Sequence, residues 1–254
     1  MKYTSREMMV IAAARKIKNS DIVFCGTGIS ILAAVAAKHS HAPESIIFFE
    51  TGAVDSELNE LPLAVSDPRV MYNASSYCSL GETFAYMQNR NLNQDIIGII
   101  GAAQIDQYGN LNSTCIGDYK NPKVRFPGSG GACDVASFVG RTIVFMKLEK
   151  RKFVKKLDYI TSPGWLFGPK GRKRAGLSCD GPSWVVTDKG VMGFDNDSKK
   201  MYLSGFYHGV DIEDIKNNID FDIDVSKAYQ IDYPLKIELE ALREKSDPER
   251  LILD

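Results

Sequence analysis

The 254-residue sequence has no Cys-x-x-Cys pair, three histidines and no excess charge of either sign. Its cysteines, Cys25, Cys78, Cys115, Cys133 and Cys179, are scattered and odd in number. That argues against a disulfide framework and a structural zinc site, and for reduced thiols in a cytoplasm. His39-Ser40-His41 and His208 have no ligand-like neighbours, so no metal is expected. A net charge of -1 gives no global attraction to nucleic acid or to an anionic membrane. The uncharged run from Ile22 to Ala37 is shorter than a membrane span of about 18 residues, and Gly26, Thr27, Gly28 and Ser30 break it. An N-terminal apolar stretch, Met8 to Ala14, is interrupted upstream by Glu7 and closed by Arg15-Lys16, which does not fit a signal peptide. Gly128-Ser129-Gly130-Gly131 lacks the spacing of a nucleophile elbow. With no repeat, low-complexity segment or linker, residues 1–254 are expected to form one domain.

What is present fits a globular α/β chain, 44% hydrophobic and 25% charged. Thr4-Ser5-Arg6-Glu7 has the form of a capping box opening a helix. Asp21 to Cys25, Ile46 to Phe49 and Asp95 to Ile100 read as buried strands, the first followed by a Gly26-Thr27-Gly28 turn and a helix from Ile31 to Lys38. Gly26-x-Gly28 superficially matches a dinucleotide fingerprint, but Ile31 stands where a third glycine is required. Asp55 to Asp67 reads as a polar surface loop, Arg69 to Ala74 as a strand, and Gly81 to Arg90 as a helix. Further on, a helix is expected from Cys133, strands at Thr142 to Met146 and Met201 to Tyr207, and a hairpin over Pro182 to Phe194 turning at Asp188-Lys189-Gly190. Leu235, Leu239 and Leu242 are expected to line one side of a last helix ending near Asp247-Pro248. The basic clusters Lys147 to Lys156 and Lys170 to Arg174 lack interleaved aromatics and read as solvated faces or interfaces, the second also as a mobile loop able to hold phosphates.

Three stretches are candidates for chemistry. Glu50 ends the Ile46 to Phe49 strand, where open α/β sheets collect ligands, although strand-end acids also cap helices or pair with Lys and Arg. Gly101-Ala102-Ala103-Gln104-Ile105-Asp106 follows the Asp95 strand with small residues that permit close approach to backbone. Pro127-Gly128-Ser129-Gly130-Gly131-Ala132 is either a tight turn or a concavity of backbone amides able to hold an anion.

Taken together, Phe49-Glu50-Thr51-Gly52, Gly101 to Asp106 with Gly109-Asn110-Leu111-Asn112, and Gly128 to Gly131 resemble the β subunits of family I CoA-transferases of the glutaconate type. Thr161-Ser162-Pro163-Gly164-Trp165 and Val186-Thr187-Asp188-Lys189-Gly190 fit that type as well. The resemblance implies one open, mostly parallel sheet flanked by helices, of the CoA-transferase or NagB-like type, with some antiparallel strands in the C-terminal part. It implies Glu50 as the nucleophile of an E-S-G motif, carrying a glutamyl-CoA thioester. Gly52, Gln104, Gly130 and Gly131 are the expected substrate and oxyanion contacts. An acyl-CoA thioester is then the substrate, with no permanently bound cofactor, and a separate α subunit is the expected partner, with neither nucleic acid nor membrane. The motif's serine is Thr51 here. Hydrolase or decarboxylase activity on the same fold is the alternative; a non-catalytic effector-binding domain would ordinarily bring a helix-turn-helix, and the first 20 residues offer one helix only.

Overall fold

The computed structural model describes residues 2–26, 28–177 and 179–253, so Thr27 of the expected glycine turn lies outside the described residues. The chain forms two compact units, one of residues 1–100 with 233–254 and one of residues 101–232.

In the first unit, helix α1 (Ser5–Ala14) opens on the expected capping box: Thr4 accepts from the Glu7 amide and Glu7 accepts from the Thr4 amide. Strand β1 (Ile22–Cys25) leads into α2 (Ile29–Ser40), which packs on it, and α1 packs on α2. Then follow β2 (Ile46–Phe48), β3 (Ala53–Val54), β4 (Ser76–Tyr77), α3 (Leu80–Gln88) and β5 (Ile96–Gly101). The strand order is β5-β1-β2-β3-β4. β1 lies parallel between β2 and β5, with Phe24 opposite Phe48 on one side and Gly98 on the other. β3 and β4 then add antiparallel. Val23, Phe48, Ile97 and Ile99 are buried, as befits strands covered on both faces.

The second unit begins with two small antiparallel pairs, β6 (Gln104–Ile105) with β7 (Leu111–Asn112), and β8 (Cys115–Gly117) with β9 (Pro122–Arg125). Helix α4 (Ala132–Phe138) precedes β10 (Arg141–Phe145). Helix α5 (Gly171–Arg174), β11 (Pro182–Val186), β12 (Gly190–Phe194), β13 (Met201–Phe206), α6 (Ile212–Asn217) and β14 (Tyr229–Gln230) complete it. β10 and β11 are parallel, β11 to β13 form an antiparallel meander, and β14 pairs parallel with β13. The architecture is thus the expected α/β sheet, with its antiparallel strands in the C-terminal part; β3 and β4 are an antiparallel addition nearer the N-terminus. Among the described residues, no helix is long and apolar enough to cross a membrane.

Three expectations need correction. Arg69 to Ala74 is not a strand: Pro68–Met71 forms a 3-10 turn, because Pro68 presets its φ and Asp67 accepts from the Arg69 amide at 3.0 Å. Leu235 does not join the last helix's buried stripe. It caps helix Lys236–Glu240 in an extended conformation and is 60% exposed, whereas Leu239 and Leu242, the latter in the following π-helical segment Ala241–Ser246, are buried. Arg172 does not belong to a solvated basic face; it is buried, as described below. The Lys147 to Lys152 cluster does remain at the surface, with Glu149 paired to Arg151 at 2.7 Å.

Glu7 ties the ends of the first unit together. Its fully buried carboxylate accepts from Arg243 at 2.6 and 2.9 Å and from the Thr4 amide at 2.8 Å. Burial alone raises its pKa, but the Arg243 and Thr4 hydrogen bonds and the Arg250 charge outweigh it and hold the carboxyl below its ordinary value. A depressed carboxyl pKa stabilises the fold above the unfolded value, near 4.3, and that contribution is lost as pH falls through the folded pKa. Glu7→Gln is therefore expected to cost about 3 kcal/mol, at the low end for breaking a buried pair because the Arg243 side chain is 33% exposed. Denaturant titration across pH should show this deficit in full at neutral pH and shrinking below about pH 4.3.

Candidate active site

Glu50 sits at the tip of a three-residue hairpin. The Phe49 amide donates to Ala53 O at 3.0 Å and the Gly52 amide to Phe49 O at 3.0 Å, leaving Glu50, Thr51 and Gly52 as the loop. Such loops favour glycine in a positive-φ conformation at their last position, and Gly52 has φ +103°. Space enforces the same choice: a Cβ on Gly52 would lie 1.8 Å from Cys78 O. The Cys78 amide donates to Gly52 O at 2.9 Å and its thiol to the same oxygen at 3.3 Å, fastening the turn to the segment before α3.

The two structural explanations for a strand-end acid do not apply to Glu50. A strand follows it, not a helix to cap. Among the described residues, no hydrogen bond or ion pair engages its half-buried carboxylate.

In the second unit, Gln104 is 6% exposed and its amide is held by two side chains, with one of its two N–H groups given to Asp158. It donates to Asp158 at 2.8 Å and accepts from Asn112 at 2.7 Å. Asn112 also donates to Cys115 O and accepts from the Thr114 amide. Asn110 is a second hub: it donates to Asp106 and Leu166 O and accepts from the Gly164 and Leu166 amides. Burial raises the Asp106 pKa against the hydrogen bonds from Asn110 and Tyr108. Both asparagines of the Gly109 to Asn112 stretch thus hold backbone in place.

The glycine-rich loop is fastened at one end: Ser113 donates its hydroxyl to Gly128 O at 2.8 Å and the Gly128 amide donates to Ser113 O at 3.0 Å. Gly130 has φ +49° and Gly131 caps α4. Among the described residues, neither amide donates a hydrogen bond. Because Asn112 and Ser113 are consecutive, Gln104 and this loop are joined through β7. Behind α4 lies Arg172, 3% exposed, donating to the carbonyls of Ala136, Ser137, Pro163, Gly164 and Cys179. Burial pushes its pKa down. Sequence reading missed Asp158 and the burial of Arg172, and it named Thr161 only within a family stretch, without the role of its hydroxyl in accepting from the Ser113 amide at 2.9 Å. Among exposed Lys170, Lys173 and Arg174, nothing in the residue string marks Arg172 as buried.

His39 and His41 are engaged by Ser246 at 3.2 Å and Ile17 O at 3.0 Å, and no group of three or more His, Cys, Asp or Glu able to hold a metal occurs among the described residues.

Residues 6–218 match the Coenzyme A transferase family. The chain belongs to that family of enzymes. It is 44% identical over 249 residues to the β subunit of glutaconate CoA-transferase from Acidaminococcus fermentans, covering 97% of this chain and 93% of that one. It is 35% identical to the β subunit of 3-oxoadipate CoA-transferase from Pseudomonas knackmussii, covering 95% and 92%. The crystal structure of glutaconate coenzyme A-transferase from Acidaminococcus fermentans superposes with a TM-score of 0.95 at 42% identity, covering 100% of this chain and 98% of that one.

Gly52→Ala tests the turn. With φ at +103° and the Cys78 carbonyl in the way, the substitution is expected to destabilise the chain by about 2–4 kcal/mol. Hydrogen exchange should quicken first over residues 49–55 and 78; an unchanged melting temperature would show the turn tolerating a side chain.

Proposed function

We propose that the chain is the β subunit of a glutaconate-type CoA-transferase, moving CoA between an acyl-CoA and a free acid, of the dicarboxylic class, through a glutamyl-CoA thioester on Glu50. The observation that carries this reading is a glutamate at a hairpin tip, two residues before a glycine whose position is closed to a side chain, with no partner for its carboxylate among the described residues. The 44% identity to a glutaconate CoA-transferase supports the substrate class.

Carboxylates are ionised at neutral pH, and an ionised carboxylate attacks without a separate base. Glu50 adds to the thioester carbonyl carbon and CoA leaves as the thiolate, giving a mixed anhydride. The thiolate then attacks the Glu50 carbonyl of that anhydride, forming glutamyl-CoA and releasing the donor acid as its carboxylate. The acceptor carboxylate repeats both steps in reverse and leaves as the new acyl-CoA, restoring Glu50. Gly130 and Gly131 offer amides for the oxyanion, and Gln104, held by Asp158 and Asn112, orients the acyl or carboxylate group. Gly52 permits the turn beside the nucleophile. The protein works as one functional domain with a separate α subunit, in the cytoplasm, on acyl-CoA as substrate and with no resident cofactor.

Incubating the two-subunit enzyme with acyl-CoA and no acceptor acid is expected to leave CoA covalently on the peptide containing Glu50. Intact-mass and peptide spectra showing no adduct, or one elsewhere, would sink the assignment. Free CoA accumulating steadily instead would mark a hydrolase. Glu50→Ala is expected to lower transfer by several orders of magnitude. Its melting point should stay near wild type, because Glu50 has no partner to lose among the described residues.

A further inference from the structure

Thr51 lies between Glu50 and Gly52 in the hairpin loop, and its hydroxyl oxygen is fully buried with no hydrogen-bond partner among the described residues. Buried hydroxyls elsewhere in the same unit find acceptors: Thr83 donates to Ser79 O at 3.2 Å, Ser45 to Ala42 O at 2.8 Å and Ser56 to Val70 O at 2.5 Å. Folded proteins rarely leave such a group unpaired, because its lost contacts with water go uncompensated. The turn gives it little help. Phe49 O already accepts from the Gly52 amide, and Gly52 O accepts from both the amide and the thiol of Cys78. A β-branched side chain also has few χ1 positions in which to search for another partner.

The geometry points to the Thr51 hydroxyl as a hydrogen-bond donor reserved for the acyl group formed on Glu50, which rests on Glu50 being the nucleophile. In the free chain Glu50 carries a carboxylate. Once CoA is loaded, it carries a thioester carbonyl whose oxygen gains negative charge at each nucleophilic attack. A hydroxyl on the adjacent residue, fixed by the same turn and shielded from water, stabilises that charge without reorganising. Its unpaired state in the free chain is what leaves it available.

The test compares Thr51→Val, which keeps the branched shape and removes the hydroxyl, with Thr51→Ser, which keeps the hydroxyl and removes the methyl. In the two-subunit enzyme, Thr51→Val is expected to lower kcat about 100-fold, the scale of losing one preorganised donor, with KM unchanged. Its melting temperature should equal or exceed wild type, since an unpaired buried polar group has been removed. Thr51→Ser should retain kcat to within a few-fold. Wild-type kcat in Thr51→Val, or a loss matched by a fall in melting temperature, overturns the proposal. Spectra of the wild-type enzyme loaded with acyl-CoA separate the two readings: an adduct on Glu50 alongside a fully active Thr51→Val refutes the hydroxyl's role alone, and no adduct on Glu50 refutes both.

Discussion

Strands β5, β1 and β2 are buried, so their backbone amides and carbonyls have to be satisfied by neighbouring strands. β2 has β1 as a parallel partner on one side and β3 as an antiparallel partner on the other, with Phe48 opposite Val54. That second pairing forces the chain to reverse within three residues of Phe49. A loop so short requires the positive φ of Gly52, and the approach of the Cys78 carbonyl forbids any side chain there. Glu50 is therefore presented at the tip of a rigid turn and not on a mobile loop. The placement of the carboxylate follows from backbone hydrogen bonding before any question of catalysis arises.

The second unit handles its polar residues in a different way. Gln104, Asn110, Asn112 and Arg172 are buried, and each is held by hydrogen bonds to backbone or neighbouring side chains. Such networks stabilise only when every member is satisfied, and then they fix one arrangement of the segments they join. Arg172 is the extreme case, a buried cation donating to five carbonyl oxygens, three of them in the loops at Pro163, Gly164 and Cys179 and two in α4. The helix capped by Gly131 is thereby immobilised from behind. The glycine-rich loop is fastened from the other end by Ser113.

The parallel strands, the first capping box, the Pro182 to Phe194 hairpin and the family were all legible in the residue string, because each rests on local pattern. Leu235 shows where that reading stops: four residues before Leu239 is the right spacing for a shared helical face, but the helix begins after it. Arg69 to Ala74 failed for a related reason, since Asp67 and Pro68 dictate a tight turn before strand propensity has any effect. The glycine and asparagine stretch at positions 109–112 was recognisable as important. Its work as a hub for residues 161–166 depends on partners some fifty positions away.

By itself, the sequence determined the α/β class, the principal buried strands with the helices beside them, and the identity of the acid at the end of β2. Periodicity, capping residues and turn chemistry act over a few residues and can be read in order. Only the tertiary structure decided that, among the described residues, Glu50 has neither a helix to cap nor a paired cation and Thr51 buries an unpaired hydroxyl, that Gly52 is closed by Cys78, and that Arg172 is internal. Each of these depends on which groups are missing from, or forced into, a neighbourhood built by distant segments. Burial and hydrogen-bond satisfaction are properties of that neighbourhood and not of the residue.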